Sequence, residues 1–208
     1  MVKQERAART RQALIRAAAE VFAEEGFAPA SLTRISSLAG VSNGALHFHF
    51  ETKLALAEAV QGEASARVMQ VTATAESGGA DGLRALVDAT HCLLSLLADD
   101  MVVRAGLGLS GVPLTADEVD LRAYWQQWIE AVLERAHREG ALAEGVSPEQ
   151  AASAVMAATV GFAVLGCRDT EWLSERTVAG YWELMVPRLI QGTGEEISHS
   201  AGECRGAG

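Results

Sequence analysis

A chain of 208 residues with 49% hydrophobic residues, 5% aromatics and four prolines can bury a real core in one or two domains, and it points to a compact, mainly helical, Ala- and Leu-rich protein. Its formal net charge of −10 argues at first against a nucleic-acid binder, because that affinity rests largely on cations meeting phosphates. The distribution reverses the argument: residues 1–53 hold seven Lys or Arg against five Asp or Glu, a net of +2, and the remainder carries −12.

In chain order, the opening segment MVKQERAARTRQ is charged and lacks a following apolar core, so it does not read as a secretory signal. It reads either as a basic arm that reaches backbone phosphates or as the solvated start of a helix. Leu14, Ala18, Val21 and Phe22 recur at i, i+4, i+7 and i+8, which predicts a first helix ending near Gly26. Leu32, Ile35, Leu38 and Ala39 predict a second, with Ser31 as an N-cap whose hydroxyl satisfies an orphan amide. Gly40 falls where that helix must end, since glycine alone takes the left-handed conformation without steric cost, and Val41 follows as a small apolar anchor. Ser42 can cap a third helix from Asn43 to about Phe50, with Leu46 and Phe50 facing inward and Asn43 and His47 outward.

Two short helices joined by a glycine-containing turn form a helix-turn-helix, whose second helix lies in the major groove of DNA. The candidates for DNA contact are Ser42, Asn43, Gly44 and His47, with Ser31, Thr33, Arg34, His49 and Lys53 beside them. Gly44 has no side chain to hold the helix away from phosphates. Taken alone, the span also fits an ordinary helical hairpin with histidines on a solvated face.

Beyond Lys53 every segment reads as helix: Thr52 to about Thr74, Leu83 to about Leu97, Val102 to Leu109, Glu118 to about Glu139, Pro148 to about Leu165, and Arg176 to about Ile190. The glycine-rich SGGADG and the loop GVPLTAD interrupt them. No strand alternation and no internal repeat is present. The fold class expected is therefore all-α, with a DNA-binding domain over residues 1–53, a second helical domain over 54–191 and a polar, flexible tail over 192–208. No run approaches the eighteen uncharged apolar residues of a membrane span. Cys92, Cys167 and Cys204 are odd in number, without a C-x-x-C pair, and are expected to be free thiols in a reducing cytoplasm, with neither a zinc site nor a disulfide framework. On the helix from Glu118, Leu121, Trp125, Trp128, Ile129 and Val132 form one stripe, which by spacing alone favours core.

The segment from Thr10 through Lys53 resembles the DNA-binding domain of the TetR family of transcriptional regulators, on RQALIRAAAEVFAEEGF, LAGVSNGAL, HFHF and the lysine three residues on. Within that family the chain is most similar to the γ-butyrolactone receptor branch. VVRAGLGLS from Val102, the Trp125 helix ending in REGAL, and VGFAVLG from Val160 carry that likeness through about Gln191. It departs from the branch at Asn43, where lysine is usual, and at His47, where tyrosine is usual. An expected polar residue of the linking helix is replaced by Ala64.

The resemblance implies a homodimer that reads a palindromic operator in double-stranded DNA, with the last two helices pairing between subunits. It places Trp125 beside a cavity for a small hydrophobic effector, through the fifteen-residue step to Gly140, and it gives Thr159 a hydroxyl role and Phe162 a place in the same site. Trp128 stays core. The expected function is a cytoplasmic repressor, released from DNA when an effector such as a γ-butyrolactone shifts the population of conformers. A pseudo-receptor for an antibiotic or biosynthetic intermediate is the nearest rival, a ligand-independent architectural DNA binder is a further one, and a small-molecule-modifying enzyme is the most remote. No catalytic residue, metal or cofactor is expected: a phosphate-binding glycine fingerprint and H-E-x-x-H are absent, and His91 and His137 have no nucleophile or acid partner at an interpretable spacing.

Overall fold

The computed structural model describes residues 2–77, 82–112 and 120–190. The helix start expected at Glu118, most of the two interrupting loops, Cys204 and the tail from Gly192 lie outside the described residues. Within them the elements are α1 (Val2–Glu25), α2 (Leu32–Leu38), α3 (Asn43–His49), α4 (Lys53–Ser77), α5 (Gly82–Asp99), α6 (Met101–Gly108), α7 (Leu121–Arg138), α8 (Pro148–Gly166) and α9 (Glu175–Leu189), with a 3₁₀ turn at Thr170–Leu173. One isolated bridge pairs Leu142 with Ile190.

Helix ends follow local chemistry. Gly26 closes α1 at φ +82°. After α2, Gly40 takes φ +68°, its amide donates to Ser37 O at 3.1 Å and the Val41 amide donates to Ser36 O at 3.0 Å. That pair of bonds satisfies carbonyls that a helix end otherwise leaves open. Ser42 then starts α3 by accepting from the Ala45 amide at 3.1 Å. Asp100, Ser147 and Ser174 accept from backbone amides in the same way at the starts of α6, α8 and α9.

The chain divides into two compact units that do not follow its linear order. One comprises Met1–Val68 and Asp100–Arg122, the other Met69–Asp99 and Ala123–Gly208. The boundary expected after residue 53 thus falls inside the first unit, because α6 packs on α1 and is drawn into it. Helices α4 and α7 each run from one unit into the other. The core of the first unit holds Leu14, Ile15, Ile35, Leu46 and Leu56; that of the second holds Leu86, Leu94, Ile129, Leu133 and Trp182.

Of the two readings of the opening segment the helical one holds, from Val2. Other expectations are corrected. Leu38 is 47% exposed: the buried Ile35 and Ser36 set the inward direction, and at about 100° per residue Leu38 lies roughly 110° from it. Among the described residues one helix, α8, is long and apolar enough by length and composition to cross a membrane, although it carries Glu149, and a core helix meets the same test. Cys167 is a free thiol, donating to Ala163 O at 3.2 Å, but Cys92 is disulfide-bonded. Linear spacing says nothing of which thiols a fold brings within bonding distance.

Candidate functional site

The third helix is held by Leu46 and Phe50, both buried, with the Arg11 guanidinium 5.2 Å from the Phe50 ring centroid. Anchoring that side turns Ser42, Asn43, Gly44, His47 and Phe48 outward, all exposed. His49 is half-buried and meets Phe48 edge-on at 5.2 Å. Phe48 is 82% exposed and was not singled out in the sequence; the alternation of His and Phe in HFHF was the available signal. A β-carbon on Gly44 would come only within 3.9 Å of Ser42 Oγ. Nothing inside the chain therefore requires glycine there, and the space it leaves opens outward.

Asn43 is not a free side chain. Its Oδ1 lies 2.5 Å from the hydroxyl of Ser36, a buried residue of α2 that the sequence reading passed over. Ser31 sits at the N-cap of α2 in extended conformation, but its hydroxyl makes no cap hydrogen bond, against expectation, and is left exposed. Thr33 is exposed beside it. The two cations proposed for this surface are engaged by the chain. Arg34 pairs with Glu24 at 2.6 Å and with Glu25. Lys53 Nζ donates to the carbonyls of Phe27, Ala28 and Ala30 at 2.8, 2.9 and 3.1 Å and lies 4.7 Å from the Phe27 ring centroid. An ammonium has three hydrogens, so Lys53 closes the loop after α1 and offers no spare donor.

A polar chain links the helices of the first unit. Gln12 of α1 donates to Glu63 of α4 at 2.9 Å, and Glu63 pairs with Arg67 one turn on. Arg67 donates to Asp100 Oδ1 at 2.6 Å, and the same oxygen accepts the Val102 amide at 2.8 Å. Asp100 thus caps α6 and ties it to α4 at once. A β-carbon on Gly106, six residues after Asp100, would collide with that of Ala64, three residues before Arg67 on α4, and come within 3.1 Å of Leu121 Cδ1. Ala64 is completely buried in that joint.

In the second unit Trp125 is 3% exposed and stacks on Trp128, with ring centroids 5.1 Å apart and planes 24° apart. The two indoles differ in one respect. Trp128 Nε1 donates to Glu76 Oε1 at 3.0 Å, whereas Trp125 Nε1 is buried without an acceptor. A buried donor left unpaired costs about 1–3 kcal/mol, so it is a place where an acceptor-bearing molecule gains most. Thr159 is buried and donates to Val155 O at 2.8 Å, so its hydroxyl offers lone pairs but not its proton. Phe162 meets Tyr181 edge-on at 5.6 Å, and Tyr181 meets Trp182 at 5.1 Å. Tyr181 and Trp182, which the sequence places on the apolar stripe of the last helix, also bury polar atoms without partners, and burial pushes the Tyr181 hydroxyl up to about 12. Among the described residues, no cluster of His, Cys, Asp and Glu could hold a metal ion.

Residues 14–60 match the bacterial regulatory proteins of the tetR family. The A-factor receptor protein of Streptomyces griseus is 30% identical over 195 residues, covering 91% of this chain and 67% of that protein. The crystal structure of a γ-butyrolactone receptor superposes with a TM-score of 0.82 at 27% identity, over 93% of this chain and 94% of its own. The TetR family protein CprB of Streptomyces coelicolor A3(2), solved in complex with its biological operator sequence, superposes with a TM-score of 0.78 at 27% identity, over 89% and 90%. The chain belongs to the TetR family of transcriptional regulators and is related within it to the γ-butyrolactone receptors.

Proposed function

We propose that this regulator is a cytoplasmic, homodimeric repressor that binds a palindromic operator through α3 and leaves it when a small, largely apolar effector occupies a site beside Trp125. The observation that carries the effector reading is the buried, unpartnered indole N–H of Trp125, next to a tryptophan whose own N–H is satisfied. A γ-butyrolactone suits it: a carbonyl accepts one hydrogen bond, and the rest of the molecule is held by apolar walls. Ser42, Asn43, Gly44 and His47 form the proposed DNA contact, with Ser31, Thr33 and His49 at its margin. Arg34 and Lys53 are left out because their charges are spent within the chain.

The control step is a population shift. Helix α7 carries both Leu121, which packs at Gly106, and Trp125, one turn later on the same face. An effector that binds one conformer better moves α7, and through the Gly106–Ala64 joint and the Asp100–Arg67 pair it moves α4. A second reading, an effector of another class such as an antibiotic or its precursor, is favoured by Ala64. That position is consumed by helix packing and presents no polar group to a lactone.

The test is mobility-shift titration of palindromes flanking the gene, with and without added γ-butyrolactones or culture extracts. Release by a γ-butyrolactone supports the first reading, and release only by extract the second. No palindrome bound at any protein concentration sinks both.

A further inference from the structure

The Ser36–Asn43 contact decides what the recognition helix can read. Ser36 is only 3% exposed, and its oxygen lies 2.5 Å from Asn43 Oδ1 and 3.0 Å from Thr33 O. A hydroxyl has one proton and can serve one of these acceptors. The serine donates to the amide oxygen of Asn43, the nearer of the two acceptors. Thr33 O sits inside α2, where the helix ladder supplies backbone partners.

An unconstrained asparagine offers one acceptor and one donor to a base edge, which is why it pairs in bidentate fashion with adenine N7 and N6. Here the acceptor is turned into the protein. With one lone pair of its oxygen taken by Ser36, what exposed Asn43 has most free to offer is its NH₂ group, two donors. Guanine presents two acceptors in the major groove, N7 and O6, whereas adenine sets a donor beside its acceptor. We propose that Ser36 is a specificity-determining positioning residue: by holding the amide oxygen of Asn43, it makes Asn43 a reader of guanine and not of adenine. The inference rests on the DNA-binding reading above. It biases this asparagine toward donating, as the lysine usual at the position does.

The experiment is selection from a randomised operator pool by the full-length protein, followed by sequencing. Wild type should favour guanine over adenine about tenfold at one position of each half-site. Asn43→Ala should erase that preference while leaving the other positions unchanged. Ser36→Ala, checked for folding by its melting curve, should free the amide to turn and bring adenine to parity or above. Should Ser36→Ala fail to fold, Asn43→Asp decides. It keeps an acceptor for Ser36 but presents acceptors outward, and should exchange guanine for cytosine. A wild-type preference for adenine, a Ser36→Ala profile identical to wild type, or an Asn43→Ala profile that keeps guanine overturns the inference alone. A wild-type protein that enriches no sequence overturns the DNA-binding reading with it.

Discussion

The outward face of α3 and the outward faces of α8 and α9 are both left uncovered, with opposite chemistry. On α3 the exposed residues are Asn43, Gly44 and His47, with Phe48 beside them. On α8 and α9 they are Val164, 57% exposed, Leu165 at 43% and Leu184 at 76%. Isolated apolar side chains at a surface are ordinary; Val164, Leu165 and Leu184 expose apolar area on the last two helices that would gain by leaving water, at roughly 25 cal/mol per Å². A second copy of the chain, apolar and non-directional in its demands, suits α8 and α9. DNA, an array of acceptors, donors and phosphates, suits α3.

The largest expected effect tests the apolar face. Leu184→Asp should leave helix content unchanged but convert the protein to monomers in sedimentation, and operator affinity should fall by roughly 10² or more as the second half-site is lost. A dimer that survives the substitution would assign the face elsewhere. On the polar face, His47→Ala should weaken specific binding by about 1–3 kcal/mol in mobility-shift titrations without altering sedimentation. Equal affinity for operator and for unrelated DNA before and after the change would remove His47 from the contact.

Trp125→Phe sharpens the comparison from inside. It keeps an aromatic ring to stack on Trp128 and removes the orphan N–H with the rest of the indole's five-membered ring, a smaller loss than alanine, so folding and operator binding should persist while effector affinity drops by about 0.5–1.5 kcal/mol. Unchanged release by effector would place the ligand away from this indole. Deleting the whole side chain by Trp125→Ala is less informative, since losing a buried tryptophan costs about 3–5 kcal/mol of stability in any case.

The smallest effect concerns pH. Burial holds the His91 pKa below its usual 6.5, partly opposed by Glu175 and Asp88. The unfolded chain therefore binds more protons than the folded one as pH falls through about 6.5, and stability should decline there. His91→Gln should flatten the loss of Tm between neutral pH and pH 5.5; a slope like that of wild type would show that other groups govern it.

The helix-turn-helix was legible because its determinants are local. Apolar spacing, a left-handed glycine at 40 and a serine cap at 42 act over a few residues, and the structure carries the glycine, the cap and the inward Ile35 and Leu46, though not Leu38. Ser31 shows the limit of the same logic: its position was right, yet its hydroxyl makes no cap bond, because proximity in sequence does not fix a side-chain rotamer. Lys53 shows a different limit. A lysine near a recognition helix reads as a free cation until the carbonyls of residues 27–30, about twenty-five positions earlier, are seen to take all three of its hydrogens.

The sequence by itself determined the all-helical class, the order of the helices, the turn between α2 and α3 and the outward set on α3, since each follows from helical periodicity or the conformational freedom of one residue. Only the tertiary structure decided which polar groups are spent and which remain. It removed Lys53 and Arg34 as free charges, turned the amide oxygen of Asn43 inward on Ser36, left Trp125 Nε1 without a partner while satisfying Trp128, and drew α6 onto α1. Those outcomes depend on residues far apart in the chain meeting within about 3 Å, a condition that no local pattern encodes.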